Sequence, residues 1–196
     1  QRSFWPHSGP GALAWRSPGC GRLGIRCGAP AADAGHKPRH MGLAHSVEHL
    51  GEPALTVAGF QLWIHGRQFP EAQDCYDGNW LRVTAHCGAA GASVWASGSI
   101  LMVTDIDRFG RDCQAIYDGR AESASLEPCE PEVRVDLKVT DRLGHVEASV
   151  AITPDNLHQS HRMDFEIDQS YLPAIVRDCA TIVQRYPVRG EAADGE

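Results

Sequence analysis

Two acidic side chains stand close together in the segment "DCYDGNWLRV", residues 74–83. One carboxyl group of such a pair can hold a proton while the other stays ionised, which is what general acid–base catalysis requires of Asp74 and Asp77. Asp, Gly and Asn are also the usual residues of tight turns, so Asp77–Gly78–Asn79 is equally explained by a turn before a strand. The turn needs no function and is the interpretation that we favour over catalysis or a partner contact.

Histidine patterns are the other candidates for chemistry. "HSVEH" at residues 45–49 matches the HxxEH pattern of inverted zinc peptidases, but that site needs a helix, and the neighbouring glycines do not favour one here. His158 and His161 form an HxxH pair in a polar loop without further ligands nearby. Nucleophile elbows and Walker loops do not occur in the sequence. We therefore predict no catalytic residue, no metal site and no cofactor.

Charge is divided unevenly along the 196-residue chain, whose net charge is −7. Residues 1–40 contain six basic residues and one acidic residue, whereas the remainder contains 12 basic and 24 acidic residues. An acidic body argues against a nucleic-acid partner, because phosphates require cations. It suits a basic protein partner, although acidity also simply keeps a protein in solution.

Residues 1–40 contain seven Gly and five Pro and show no apolar periodicity. We expect residues 1–54 to be a disordered N-terminal extension, with the native start at Met41, because such a composition buries too little apolar surface to offset chain entropy. Residues 55–188 are expected to form one domain and residues 189–196 a disordered tail. Without a signal peptide or an apolar run of membrane length, we expect a cytoplasmic protein without a membrane partner.

Alternating apolar residues predict most of the strands. "LTVAGFQLWIHG" (55–66) is predicted as one strand, "WLRVTAHC" (80–87) as a half-buried second and "GASVWASGSI" (91–100) as a third. "EVRVDLKVT" and "HVEASVAIT" are joined by a short turn and predict a hairpin, which "AESASLEP" precedes and "RMDFEID" follows.

Two segments have helical periodicity. "TDIDRFGRDCQAIYDG" (104–119) is predicted to begin at an N-cap on Thr104, and "SYLPAIVRDCATIVQRY" (170–186) tolerates Pro173 in its first turn. The predicted fold is therefore α+β: a mostly antiparallel sheet of about seven strands with two helices packed on it, in the order β-β-β-α-β-β-β-β-α.

Several of these segments together resemble a known family. "GRQFPEAQDCYDGNWLRV" (66–83), "LEPCEPEVRVDL" (126–137), "FEIDQSYLP" (165–173) and "RYPV" (185–188) resemble, in this order, segments of bacterial immunity proteins of the WapI type and their relatives. The resemblance spans roughly residues 58–190. It assigns the family-motif residues a structural or partner-binding role: Arg67, Phe69, Pro70, Asp74, Tyr76, Asp77, Gly78, Asn79, Trp80, Glu130, Asp168, Tyr171 and Pro173.

The resemblance implies a small cytoplasmic protein that binds and neutralises a cognate toxin, typically a nuclease, without catalysis or a cofactor. The acidic body fits a basic toxin of this kind. The resemblance favours Trp80 and Arg67 as residues that hold the fold, with Arg67 pairing with Asp74 or Asp77 to fix the long loop. Neither the identity of the toxin nor the oligomeric state follows from it.

Two alternatives stay open at this point. The first is a small enzyme or ligand-binding domain whose cleft is lined by Asp74, Asp77 and Asp168, which requires the three carboxyl groups to converge with raised pKa values. The second is a scaffold domain with another partner. Side-chain convergence separates the enzyme from the toxin-binding protein.

Overall fold

Four strands and a helix follow one another twice along the chain. The computed structural model describes residues 50–190, which belong to one compact unit. The first run comprises β1 (Leu55–Val57), β2 (Phe60–Arg67), β3 (Trp80–Ala89), β4 (Ala92–Met102) and α1 (Val103–Tyr117). The second comprises β5 (Ser123–Leu126), β6 (Val133–Val139), β7 (His145–Ile152), β8 (Arg162–Asp168) and α2 (Leu172–Arg185). Single 3-10 turns precede β3, at Asp77–Asn79, and α2, at Gln169–Tyr171.

The strands form two antiparallel four-stranded sheets, ordered β1-β2-β3-β4 and β5-β6-β7-β8. The α+β class with two helices is confirmed, whereas the single sheet of about seven strands is wrong in detail. One predicted strand divides into β1 and β2 at a two-residue turn in which Ala58 has a φ of 50°. Alanine rarely adopts this conformation, and the usual Asn-Gly signal for a hairpin turn is absent here. The sequence therefore did not predict this turn.

The buried faces of both sheets meet in one core. β3 contacts β7 and β8, and β4 contacts β7. Alternate residues of β6 and β7 are almost fully buried, as the alternation predicts. Gly59 is required at this interface, because a Cβ atom there would lie 2.6 Å from the ring of Phe165 and 2.5 Å from the carbonyl oxygen of Gly88. The first sheet therefore approaches β8 at the turn between β1 and β2.

The two helices pack against each other beside the sheets. α1 also contacts β5, and α2 contacts β1. The helices approach most closely where Gly110 faces Cys179, since a Cβ atom on Gly110 would lie only 2.8 Å from that of Cys179. α1 has its N-cap at Met102, two residues before the predicted N-cap Thr104: the carboxylate of Asp105 accepts the backbone N–H of Met102 at 2.9 Å and so caps the first turn.

The predicted extension up to residue 49, the predicted start at Met41, the HSVEH motif and residues 191–196 lie outside the described residues. Just before β1, the carbonyl of Gly51 accepts the indole N–H of Trp63 at 2.9 Å, and the N–H of Ala54 donates to the carbonyl of Leu62 at 2.7 Å. Within residues 50–190 none of the helices combines the length and apolar character that crossing a membrane requires.

Candidate functional site

Arg67 lies at the end of β2 and is 9% exposed. Its guanidinium donates to the backbone carbonyls of Gly78 and Pro187. Burial lowers the pKa of Arg67 from its ordinary value, and the positive charge of Arg189 adds to this effect. Arg67 thus joins the loop after β2 to the segment after α2, rather than pairing with Asp74 or Asp77 as predicted, because the two carbonyls match its planar fork of donors.

Asn79 is fully buried at the start of β3. Its side-chain Nδ2 donates to the carbonyls of Cys75 at 2.9 Å and Arg189 at 3.0 Å, and its Oδ1 accepts the N–H of Arg189 at 2.9 Å. The amide therefore pairs with both backbone groups of Arg189 as a neighbouring strand would. A buried amide with these partners is a structural element, because each lost bond would leave a polar group without water.

Arg189 completes the connection from the other side. Its Nη1 donates to the carbonyls of Pro70 and Ala72, each at 2.6 Å. The next residue, Gly190, has a φ of 72°, and a Cβ atom there would lie 2.2 Å from the backbone nitrogen of Cys75. We call Arg67, Asn79 and Arg189 with their backbone partners the loop clamp. The first residue of the predicted tail is thus part of the clamp.

The aromatic residues of the motif lie beside the loop clamp. Trp80 is 8% exposed, whereas Tyr76 is 59% exposed and meets the Trp80 ring edge-on at a centroid distance of 5.8 Å. Phe69 is 45% exposed, and Pro70 is exposed as well. Trp80 is therefore an anchor of the fold, whereas Phe69 and Tyr76 leave apolar surface exposed.

The three carboxylates of the candidate cleft do not converge. Asp74 accepts the N–H groups of Tyr76 at 2.9 Å and Asp77 at 2.7 Å, and Asp168 accepts the N–H of Ser170 at 2.8 Å. Residues 74 and 75 contact Gly190, beyond the end of α2, whereas Asp168 precedes its start. Since a helix of 14 residues is about 21 Å long, Asp168 lies far from the other two.

Their electrostatics also differ from those of a general acid. Hydrogen bonds from backbone N–H groups hold the pKa of Asp74 below its ordinary value. Hydrogen bonds from Ser170 lower the pKa of Asp168 in the same way. Asp77 is exposed at the first position of its 3-10 turn. A general acid near neutral pH needs a raised pKa, so Asp74 and Asp168 are suited to capping turns.

The remaining motif residues are spread over the surface of the second sheet and α2. Glu130 is exposed in the loop before β6, and Tyr171 is 51% exposed in the 3-10 turn before α2. Pro173 lies in the first turn of α2, where its missing N–H removes no helical hydrogen bond. The motif therefore brings residues 67–80 together at the loop clamp and leaves Glu130, Asp168, Tyr171 and Pro173 elsewhere.

The two histidines of the HxxH pair have separate hydrogen-bond partners. His158 shares a 2.9 Å hydrogen bond with Asp155, and His161 lies 3.3 Å from the side-chain oxygen of Gln159. Among residues 50–190 no group of three or more His, Cys, Asp and Glu side chains is placed to hold a metal ion. His158 is thus an exposed and His161 a half-buried member of a polar loop.

A surface that sequence reasoning did not locate covers the outside of the second sheet. Residues 122–168 contain 11 acidic and four basic residues, whereas the whole described region, with 20 acidic and 12 basic residues, has a net charge of −8. The strands of the second sheet and the loops that connect them thus carry most of the net charge of the described region. We call the following outward side chains of its strands the acidic face: Asp136, Glu147, Asp164, Glu166 and Asp168.

Like charges oppose each other on the acidic face. Glu147 lies between Lys138 on β6 and Glu166 on β8, directly opposite each of them, and among the described residues neither glutamate is within salt-bridge distance of a basic side chain. Directly opposed like charges destabilise a sheet. In the sequence, Glu147 and Glu166 alternate with apolar residues, which predicts that both point outward. Only the strand register shows that they lie opposite each other.

The first sheet presents a different outer surface. β2, β3 and β4 contain no Asp or Glu, and Trp95 stacks with His86 at 4.1 Å and with Trp63 at 5.9 Å between ring centroids. Burial lowers the pKa of His86 from its ordinary value. A groove of about 860 Å³ between α1 and α2, lined by Val176 and Val183 among others, is a further concave surface.

Comparison with known proteins gives one family match. The model of the immunity protein WapI-like family matches residues 55–187. No curated protein matches the chain. Among solved structures, the crystal structure of WHY3 from Arabidopsis thaliana matches with a TM-score of 0.38 and 14% identity, covering 67% of this chain and 85% of that chain. A TM-score this low does not establish a common fold.

Proposed function

The chain belongs to the immunity protein WapI-like family, and from this premise we propose that it binds and neutralises a cognate toxin without catalysis. The family match carries the proposal, because it spans both sheets and both helices of the described domain. An immunity protein of this kind needs a surface that fits the toxin rather than a reactive group. We propose further that the toxin is a basic nuclease and that neutralisation takes place in the cytoplasm, where a nuclease meets its substrate.

The acidic face supports a basic partner. Its five carboxylates are accompanied on the same strands by three basic side chains, Arg134, Lys138 and Arg162. Nucleases bind an anionic substrate and therefore carry cationic surfaces. Opposite potentials on the two proteins speed their association and exclude wrong partners, so the acidic face is where we propose that the toxin first docks.

The stability cost of the opposed carboxylates Glu147 and Glu166 supports the same proposal. A pair of like charges costs stability in the free protein and becomes favourable when a Lys or Arg of a partner lies between them. This cost has a functional explanation if the pair serves binding. The loop clamp, in contrast, is occupied by backbone partners of this chain: both amide donors of Asn79 are used, and Arg67 is too deeply buried to reach a toxin.

Stoichiometry distinguishes neutralisation by binding from catalytic inactivation. Where a gene next to that of this protein encodes a toxin domain, that domain is purified, and its nuclease activity is titrated with this chain. A binding protein abolishes activity at one equivalent, whereas an enzyme that modifies the toxin acts in substoichiometric amounts. Co-expression in cells provides the second readout: growth is restored only when the full chain accompanies the toxin.

The proposal fails if the toxin domain is active and folded, and yet this chain neither restores growth nor lowers nuclease activity at several equivalents. If the toxin is inactivated by a small fraction of one equivalent of this chain, the chain acts as an enzyme on the toxin and not by binding alone. Salt provides an independent check, because docking on the acidic face should slow as ionic strength rises.

A further inference from the structure

Strand β4 forms an open edge of the first sheet. It has 11 residues, pairs with β3 alone, and contains neither a charged residue nor a proline. From Ala92 to Ser99 its register against β3 is uninterrupted, and the bulge comes only after Ser99. Every second residue of such an edge directs its N–H and C=O groups away from the sheet, ready to pair with another strand.

The other three edges are protected in the ways that natural sheets use. β1 has three residues and contacts α2, and β5 has four residues and contacts α1. β8 carries four charged side chains in seven residues. Shortness, a covering helix and charge all prevent edge-to-edge pairing, so β4 is the exception among the edges of the described sheets.

A cavity of about 210 Å³ follows β4 from Trp95 to Ile100. Glu130, Glu132 and Pro154 line it opposite the strand. The Oε2 atom of Glu132 is buried and has no hydrogen-bond partner in the described part of the chain. The backbone of Glu132 is held in place, because its carbonyl accepts the N–H of Thr153 at 2.8 Å. A buried carboxylate oxygen without a donor is costly, so this position calls for a cation from outside.

We propose that β4 pairs with an extended segment of the toxin, and that Glu132, with Glu130 beside it, binds a Lys or Arg side chain of that segment. This inference rests on the proposed function and names the contact by which the toxin is held. Backbone hydrogen bonds supply general affinity in such strand addition, and a side-chain pocket supplies specificity. The two glutamates give the pocket the charge that a basic toxin complements.

Amide hydrogen exchange tests the pairing without any substitution. Exchange is followed over Ala92–Ser99 in the full chain, free and bound to a catalytically inactive form of the toxin domain from the adjacent gene. We expect the outward amides of β4 to exchange rapidly in the free protein and to become protected in the complex. Binding without a change at β4 would overturn this inference and leave the proposed function intact, whereas an absence of binding would overturn both.

The cation pocket is tested by Glu132→Gln, with Glu71→Gln as the control that removes the same charge from an exposed loop. Because loss of one partner of a desolvated ion pair is expensive, we expect Glu132→Gln to weaken toxin binding about 30-fold and Glu71→Gln to leave it unchanged. Equal toxin affinities of the Glu132→Gln and Glu71→Gln variants would overturn the proposal that Glu132 binds a cation of the toxin. If the free protein sediments as a dimer whose β4 amides are already protected, a second copy occupies the edge and the toxin segment is excluded.

Discussion

The side chain of Asn79 pairs with both backbone groups of Arg189, which lies 110 residues later in the chain. Its Oδ1 accepts the N–H and its Nδ2 donates to the carbonyl, at 2.9 and 3.0 Å. This one amide fixes the segment after α2 against the start of β3. Residue Asn79 of the family motif therefore holds the segment after the last helix against the first sheet.

Replacing this amide should be strongly destabilising. In Asn79→Ala the N–H and carbonyl of Arg189 lose their buried partner, and we expect the free energy of unfolding to fall by about 2–4 kcal/mol. Denaturant unfolding measures the change. Asn156→Ala, in an exposed loop, is the matched control and should change stability little. Equal effects of the two substitutions would contradict the structural role of Asn79.

Lysine should not replace Arg67. Its single ammonium group does not reach both Gly78 and Pro187 with the geometry of a guanidinium, so Arg67→Lys should lower the free energy of unfolding by about 1–3 kcal/mol. Arg82→Lys on the exposed face of β3 is the control. Thermal melting compares the two variants, and a stable Arg67→Lys protein would show that one carbonyl contact suffices.

Neutralising the opposed glutamates should separate stability from function. The double variant Glu147→Gln/Glu166→Gln loses a cross-strand repulsion and also the attraction between Glu147 and Lys138 opposite it, so we expect its free energy of unfolding to stay within about 0.5 kcal/mol of the parent. Toxin association should become slower and less dependent on salt. Melting and stopped-flow binding at two ionic strengths measure both effects. Unchanged association would place docking away from the acidic face.

The carboxylates of the rejected cleft should be dispensable for protection. Asp74, Asp77 and Asp168 are exposed, and Asp74 and Asp168 cap turns at opposite ends of α2. We expect the triple Asp→Asn variant to melt at a somewhat lower temperature, because Asp74 and Asp168 accept backbone N–H groups, and to neutralise the toxin at one equivalent as before, with association slowed only by the loss of Asp168 from the acidic face. Loss of neutralisation in a folded triple variant would restore the enzyme hypothesis.

His145 should respond to pH through Asp141. Its Nδ1–H donates to the Asp141 carboxylate at 2.6 Å, which raises the pKa of His145 and lowers that of Asp141. A raised folded pKa stabilises the fold below the unfolded value of about 6.5, and this stabilisation is lost as pH rises through the folded value. The lowered pKa of Asp141 stabilises the fold above its unfolded pKa, and this stabilisation is lost as pH falls through the folded pKa of Asp141.

NMR titration of the His145 ring measures this pKa directly. Asp141→Asn should lower the pKa of His145 towards its ordinary value, although Glu166 and Asp168 still raise it slightly. Asp112→Asn on α1 is the control and should leave the titration unchanged. A titration of His145 that is insensitive to Asp141→Asn would show that the pair does not form in solution.

The local elements follow from the sequence because their causes are local. Leu81, Val83, Ala85 and Cys87 alternate with outward residues in β3, and the hairpin of β6 and β7 pairs Val133 with Ile152 through Val139 with Val146. Side-chain period is fixed by backbone geometry, so residue type suffices to predict these strands and both helices. The turn at Asp77–Asn79 is predictable because Asp, Gly and Asn are the usual residues of tight turns.

The sequence by itself determined the α+β class, most strands, both helices, the acidic balance and the family resemblance. Only the tertiary structure decided that the strands form two sheets, that Arg67 binds backbone carbonyls instead of Asp74 or Asp77, and that β4 is left as an open edge. These relationships join residues up to 120 positions apart. Their partners are chosen by the packing of whole sheets and helices, and no local pattern of residue types contains that information.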